Sequence, residues 1–252
     1  MTESIDLKDK PFDLRKTLEC GQTFSWNEDE DKYYTVRNDG VLKVWREGEE
    51  LYYENLGGEI DPVEVLRLDD PLEEIYEKIN RDEVMDKAIV ANRGLRIVND
   101  EFFPCLISYI TSSQMQIQRI KKIQDEISER FGKELEFDRN YYQFPSPERL
   151  AEVPEETLRD MNLGYRASYI KKTAEMVNKG VVEEGSLKKI DYPKAREELK
   201  KLSGVGDKVA DCTLLFSLDF LESFPIDTWI RKIGKEKYPG RYSKKYEEFS
   251  EN

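Results

Sequence analysis

The chain has 252 residues, 37% of them charged and 38% hydrophobic, and a net charge of −13. That length serves one large domain or two modest ones, and a balance so acidic argues against contact with phosphate unless basic side chains gather locally. Histidine is absent, which excludes Ser-His-Asp and Cys-His triads and histidine-held zinc; acid–base chemistry falls to Asp, Glu, Lys, Tyr or Cys.

Cys20, Cys105 and Cys212 stand one to each third of the chain. Their spacing suits no metal site, iron–sulfur centre or disulfide framework, and points to a reduced, intracellular protein. The densest apolar run, "FFPCLISYI" at 102–110, is far too short to span a bilayer. At the N-terminus no apolar segment follows a basic one, so no secretory signal is expected.

In chain order, residues 5–60 alternate apolar and polar side chains over "KYYTVRND", "VLKVWREG" and "ELYYENLGG". The period of two predicts an antiparallel sheet, with "NDG" at 38–40 as a hairpin turn and "GG" at 57–58 closing it. Over 69–90, Leu72, Ile75, Tyr76 and Ile79 recur at helical spacing behind an Asp-Pro start, which predicts a helix. From about residue 96 the pattern is helical nearly throughout. "FPCLISYITSSQMQIQRIKKIQDEISERFG" reads as two helices broken near "TSSQ". "SPERLAEV", "PEETLRDMNL" and "RASYIKKTAEMVNKG" read as shorter ones, with cap-like residues at their ends. The expected fold class is α+β, mainly helical. An N-terminal antiparallel β-sheet domain with a following helix (1–95) packs on a helical domain (96–252).

Most of the chemistry lies in "EELKKLSGVGDKVADCTLLFSL". One helix is expected to end at Leu202, and a second to start near Asp207 after a tight Gly-Val-Gly turn. Glycine at 204 and 206 keeps the turn free of side chains. The amides of Gly204, Val205 and Gly206, backed by a helix N-terminus, can then cradle a DNA phosphate. A lone G-x-G would mark an ordinary helical hairpin; Leu202, Val205, Lys208 and Ala210 around it complete the pattern of a helix-hairpin-helix element. Lys208 stands where desolvation and the helix dipole both disfavour an ammonium ion, which suits a nucleophilic amine. The other reading of Lys208 is a phosphate contact. Further on, "FPID" sets Asp227 as the cap of "TWIRKIG".

This hairpin, loop and aspartate resemble the helix-hairpin-helix DNA glycosylase superfamily, and most closely its 8-oxoguanine DNA glycosylase/AP lyase family. "CGQTFSW", "ISYITSSQMQIQRI", "FPSPERLA" and "LGYRASYI" continue the resemblance in the family's order over most of the chain. It implies that the Lys208 amine attacks C1′ of the damaged nucleotide, giving a Schiff base whose β-elimination nicks the strand. Asp227 would stabilise the positive charge developing on the sugar. Gly21 would accept, through its carbonyl, the N7–H that distinguishes 8-oxoguanine from guanine. Arg119 and Arg166 would read the cytosine opposite, with Tyr165 wedged beside it, Gln114 filling the gap in the duplex and Cys212 lying close to the lysine. Taken singly these are a turn glycine, solvated arginines, a packed tyrosine and a small buried hydrophobe.

The chain departs from the family at "QMQ" (114–116), where its best-known members carry three asparagines, and at Trp229, where a phosphate-contacting histidine is familiar. It also stops short of the helix that stacks an aromatic residue on the extruded base. Either it is a truncated form, or Tyr238, Tyr242, Tyr246 and Phe249 partly substitute. On that ground it is expected to nick abasic DNA more effectively than it excises 8-oxoguanine.

The expected protein is a monomeric, bifunctional repair glycosylase acting on damaged double-stranded DNA, without a membrane. It is placed in the cytoplasm or nucleoid, or in the nucleus of a eukaryote. No metal or organic cofactor is required, although the hairpin carbonyls could hold a monovalent cation. The rivals are a glycosylase for alkylated bases, disfavoured by Lys208, and a non-catalytic helix-hairpin-helix DNA-binding module.

Overall fold

Alternation in the first sixty residues becomes a five-stranded antiparallel sheet in the computed structural model, which describes residues 1–239. Its strands are β1 (Thr2–Asp6), β2 (Trp26–Asp29), β3 (Lys32–Arg37), β4 (Gly40–Glu47) and β5 (Glu50–Leu56), in the order β1-β5-β4-β3-β2. Asn38 and Asp39, at φ +52° and +58°, join β3 to β4 and put Arg37 opposite Gly40. Two left-handed residues in a two-residue loop are what the strand twist asks for. Two elements lie outside the expected runs. β1 begins ahead of residue 5 and pairs along β5, and a short helix α1 (Leu14–Glu19) is capped by the Asp13 side chain. Trp26, Leu42, Leu51, Leu18 and Leu66 fill the core beneath the sheet, together with Val65 from α2 (Pro62–Val65).

The single helix expected over 69–90 is two, α3 (Leu72–Ile79) and α4 (Glu83–Ala91). Asp82 is the reason: its carboxylate accepts the Met85 amide at 2.9 Å and starts a new helix.

In the helical half, α5 (Phe102–Thr111) buries nearly every side chain and packs against three other helices. These are α6 (Ile117–Phe131), α9 (Arg166–Asn178) and α12 (Asp207–Ser217). The break at "TSSQ" is real: Ser112 ends α5, and Gln114 takes φ +53° in the loop before α6. Around these lie α7 (Pro147–Glu152), α8 (Glu155–Leu158), α10 (Glu184–Leu187), α11 (Tyr192–Leu199) and α13 (Thr228–Lys237). A hairpin, β6 (Lys133–Glu136) and β7 (Asn140–Gln143), interrupts the expected run of helices and presses Leu135 and Tyr141 onto Val41 of β4. α11 ends at Leu199, short of the expected Leu202, with a turn bond from the Leu202 amide to the Leu199 carbonyl.

Buried polar side chains tie the two halves together. Asp100 faces Arg37 at 3.4 Å and accepts the Ser25 hydroxyl at 2.7 Å; burial pushes its carboxyl up from the usual range, against the pull of Arg37. Arg96 donates to the carbonyls of Pro11, Arg67 and Asp70. Among the described residues no helix is long and apolar enough to cross a membrane.

Candidate active site

The turn between α11 and α12 is shaped by a side chain from elsewhere. Gly204 sits at φ +79°, and a Cβ there would lie 2.7 Å from Cβ and Cγ of Tyr169 on α9. The Thr173 hydroxyl, one turn along α9, donates to the Ser203 carbonyl at 2.7 Å. Val205 points inward, while Gly204 and Gly206 are exposed. Among the described residues no side chain caps α12 at Gly206, which leaves the amides of its first turn open to a partner from outside. Asp207, also in that turn, is held by Arg196 and Lys200, each at 3.0 Å. Asp211, fully buried on the next turn, accepts the Tyr192 hydroxyl at 2.7 Å and Arg196 Nε at 2.9 Å. Burial pushes its carboxyl up, and these partners lock α11 against α12.

Lys208, half-buried, extends from the start of α12 toward the end of α5. Its Nζ donates to Ser112 Oγ at 2.9 Å, and Ser112 Oγ donates in turn to the Tyr109 carbonyl at 2.8 Å. The serine proton is thus committed to α5 and its lone pair faces the amine. Nζ also lies 5.1 Å over the Tyr109 ring. Asp227 caps α13, accepting the amides of Trp229 and Ile230 at 2.9 and 2.8 Å. One turn beyond Lys208, the buried Cys212 thiol is pushed up to about 12, chiefly by burial. Lys208 opposes that shift, while Asp211 and Asp227 add to it. Both charges therefore act on one buried thiol, although 19 positions separate them in the sequence.

The remaining sequence candidates lie on the α5–α6 loop, on α6, at the start of α9 and in the loop after α1. Gly21 takes φ +88°, with Ile117 of α6 against it. Its neighbour Gln22 donates to the carbonyls of Thr17 (2.8 Å) and Arg96 (2.7 Å). Gln114 is exposed in the α5–α6 loop, and Arg119 is exposed with no ion pair among the described residues. Tyr165 is 51% exposed beyond Gly164, edge-on to Tyr169 at 5.8 Å. Arg166, the second expected reader of the opposite cytosine, is more enclosed than Arg119. It is buried, donates to the Ser113 carbonyl and lies 4.5 Å from the Tyr165 ring, with Nε unpartnered. In this arrangement its first task is to hold the α5–α6 loop onto α9. Tyr238 donates to Asp82 at 3.2 Å; Tyr242, Tyr246 and Phe249 lie outside the described residues.

Two contributors were not singled out from the sequence, Ser112 and Tyr109. Their signal was faint: hydroxyls three apart near the end of an otherwise apolar helix. The local charge is also distinctive. Arg231, Lys232, Lys235 and Lys237 on α13 are all exposed and form no ion pair among the described residues, whereas several basic residues elsewhere pair along their helices, as Lys87 does with Glu83 and Lys188 with Glu184. Among the described residues, no group of three or more Cys, Asp or Glu is placed to hold a metal.

Comparison with known proteins divides the chain in two. Residues 4–106 match the family model of the 8-oxoguanine DNA glycosylase N-terminal domain, and residues 107–252 that of the HhH-GPD superfamily base excision DNA repair protein. A probable N-glycosylase/DNA lyase of Methanothermobacter thermautotrophicus is 32% identical, over 91% of this chain and 84% of the relative. The N-glycosylase/DNA lyase of Saccharomyces cerevisiae is 29% identical, over 89% of this chain and 68% of its own. The solved Clostridium acetobutylicum 8-oxoguanine glycosylase/lyase, in complex with dsDNA containing cytosine opposite to 8-oxoG, superposes with a TM-score of 0.87. Its sequence is 31% identical, and the match covers 100% of this chain and 90% of that one.

Proposed function

Because the chain belongs to the 8-oxoguanine DNA glycosylase family of the HhH-GPD superfamily, we propose that Lys208 and Asp227 carry its bifunctional excision and lyase chemistry. The chain is a DNA-binding repair enzyme, a glycosylase for 8-oxoguanine and a lyase at the resulting abasic site. The observation that supports the assignment is a Lys208 amine at the start of α12, held at 2.9 Å by Ser112, with Asp227 fixed at the start of α13 and both charges acting on the buried Cys212 thiol.

The base leaves through a state with positive charge spread over the sugar ring. Asp227, fixed by two amides of α13, offers a preorganised counter-charge there. The Lys208 amine bonds to C1′ as the base departs and loses a proton to water; the C1′–O4′ bond then opens to give a protonated Schiff base, and transfer of a C2′ proton to water expels the 3′ phosphate. Amine and carboxylate suffice for both steps, so no cofactor enters the proposal. A monovalent cation at the hairpin would use carbonyl lone pairs left over after Leu202 accepts Val205 and Ser203 accepts Thr173. The open first turn of α12 and the unpaired cations of α13 would grip the phosphate backbone. Gly21 would read the damaged base, while Arg119, Tyr165 and Gln114 would occupy the opposite strand and the gap. We further propose that the enzyme acts as a monomer, wherever the genome is.

Borohydride reduction tests the assignment. The parent chain forms a covalent complex with an 8-oxoguanine duplex, and Lys208→Gln forms none while still binding the duplex. Trapping by Lys208→Gln would move the nucleophile elsewhere. A glycosylase for alkylated bases would use Asp227 and water, and would leave nothing to trap.

A further inference from the structure

The Tyr109 side chain touches both the Gly21–Gln22 loop and Lys208. Its hydroxyl donates to the Gln22 carbonyl at 2.6 Å, across 87 residues of sequence. Its ring lies 5.1 Å beneath the Lys208 ammonium. The ring itself cannot drift, because it stacks on Phe216 of α12 at 5.8 Å and meets Phe24 edge-on at 5.7 Å. Burial pushes its hydroxyl far above the ordinary phenol range, so it remains a neutral donor wherever the enzyme works.

We propose that Tyr109 is a positioning residue with two separable halves: its hydroxyl sets the loop that reads the base, and its ring seats the catalytic amine. This rests on the function proposed above. The Gln22 side chain is already tethered to α1 and to the segment at 96–98, its Oε1 accepting the Val98 amide at 3.3 Å. The backbone carbonyl of Gln22 has Tyr109 as its anchor. Because the Gly21 carbonyl lies one peptide earlier, fixing Gln22 at both its side chain and its carbonyl fixes the direction of the Gly21 acceptor. A hydroxyl that failed to reach would leave a buried carbonyl unpaired and the loop free to turn. The ring acts differently. Its electron-rich face holds the ammonium between α5 and α12, and Ser112, one turn on, completes the seat.

Tyr109→Phe removes the hydroxyl and keeps the ring; Tyr109→Leu removes both. Each variant is checked for folding by thermal unfolding, then assayed by single-turnover excision of 8-oxoguanine and of guanine and by nicking of preformed abasic DNA. For Tyr109→Phe the preference for 8-oxoguanine over guanine falls roughly tenfold, and nicking falls far less. For Tyr109→Leu nicking and borohydride trapping fall as well, so that phenylalanine rescues what leucine loses. Loss of excision and nicking in the same proportion in Tyr109→Phe would overturn the division, as would retention of full selectivity. If the parent chain does not excise 8-oxoguanine, the proposed function fails and the hydroxyl half with it. Nicking by the two variants then decides the ring half alone.

Discussion

Gly21→Ala tests the base-reading loop most directly, because two separate costs can be counted. At φ +88° an L-residue crowds its own carbonyl, which costs about 1–2 kcal/mol. The added methyl would also lie 2.5 Å from Ile117 Cδ1 and 3.2 Å from Cγ1. Ile117 is 44% exposed and can swing outward, at about 0.5–1.5 kcal/mol for leaving its rotamer. If the loop holds its place, the variant loses about 1.5–3.5 kcal/mol of stability by denaturant unfolding. If the loop yields, stability recovers, but the Gly21 carbonyl turns away and selectivity falls about tenfold for each 1.4 kcal/mol of lost discrimination. The double variant Gly21→Ala/Ile117→Ala separates the costs, relieving the clash and leaving the backbone strain. Gly21→Asn does the reverse, since asparagine tolerates the left-handed region but carries the same Cβ. Parental stability together with parental selectivity in Gly21→Ala would refute both the loop geometry and its role.

Asp227→Asn keeps a good helix cap but removes the counter-charge, so excision falls at least about a hundredfold while the melting temperature holds; parental excision rates would leave Asp227 as a cap alone. Arg119→Ala costs about 1–3 kcal/mol of discrimination for the base opposite the lesion without a change in stability. Arg166→Ala, by contrast, frees the Ser113 carbonyl and lowers the unfolding midpoint, and the reverse ranking would exchange their roles. Duplex affinity falls with salt, and Arg231→Ala with Lys232→Ala reduces the log–log slope by about 0.9 for each phosphate no longer neutralised. Lys8→Ala, on the N-terminal half, leaves the slope alone.

What the sequence disclosed was mostly local. The β3–β4 hairpin depends on Asn38 and Asp39, adjacent residues with a defined turn chemistry. The helix-hairpin-helix was legible for the same reason, since Gly204, Val205, Gly206 and Lys208 lie within five positions. The split between α3 and α4 escaped because Asp82 suits a helix surface as well as a cap, and its choice is made by the Met85 amide. The β6–β7 hairpin escaped because its strands are four residues each, too short for a period of two to stand out between helices. In the candidate site, the lysine and aspartate proposed to react were readable, but the side chains that support them were not. Arg166 is buried by a carbonyl 53 residues earlier, and Tyr109 meets Gln22 across a still longer separation. Contacts of that kind are set by packing, on which local pattern is silent.

The acidic balance and the DNA partner are reconciled by distance. Net charge sums every side chain, but at physiological salt DNA senses those within about 8 Å. On or just beyond several other helices lysines pair with glutamates three or four residues away, as Lys87 does with Glu83, Lys188 with Glu184 and Lys201 with Glu198, and the charges of each such pair largely cancel. α13, which starts at Asp227, instead presents Arg231, Lys232, Lys235 and Lys237 without ion pairs among the described residues. The first turn of α12 adds open amides, which bind phosphate without any formal charge. The acidic remainder repels the phosphate backbone, so a negative protein with unpaired cations on α13 meets the duplex oriented by that helix.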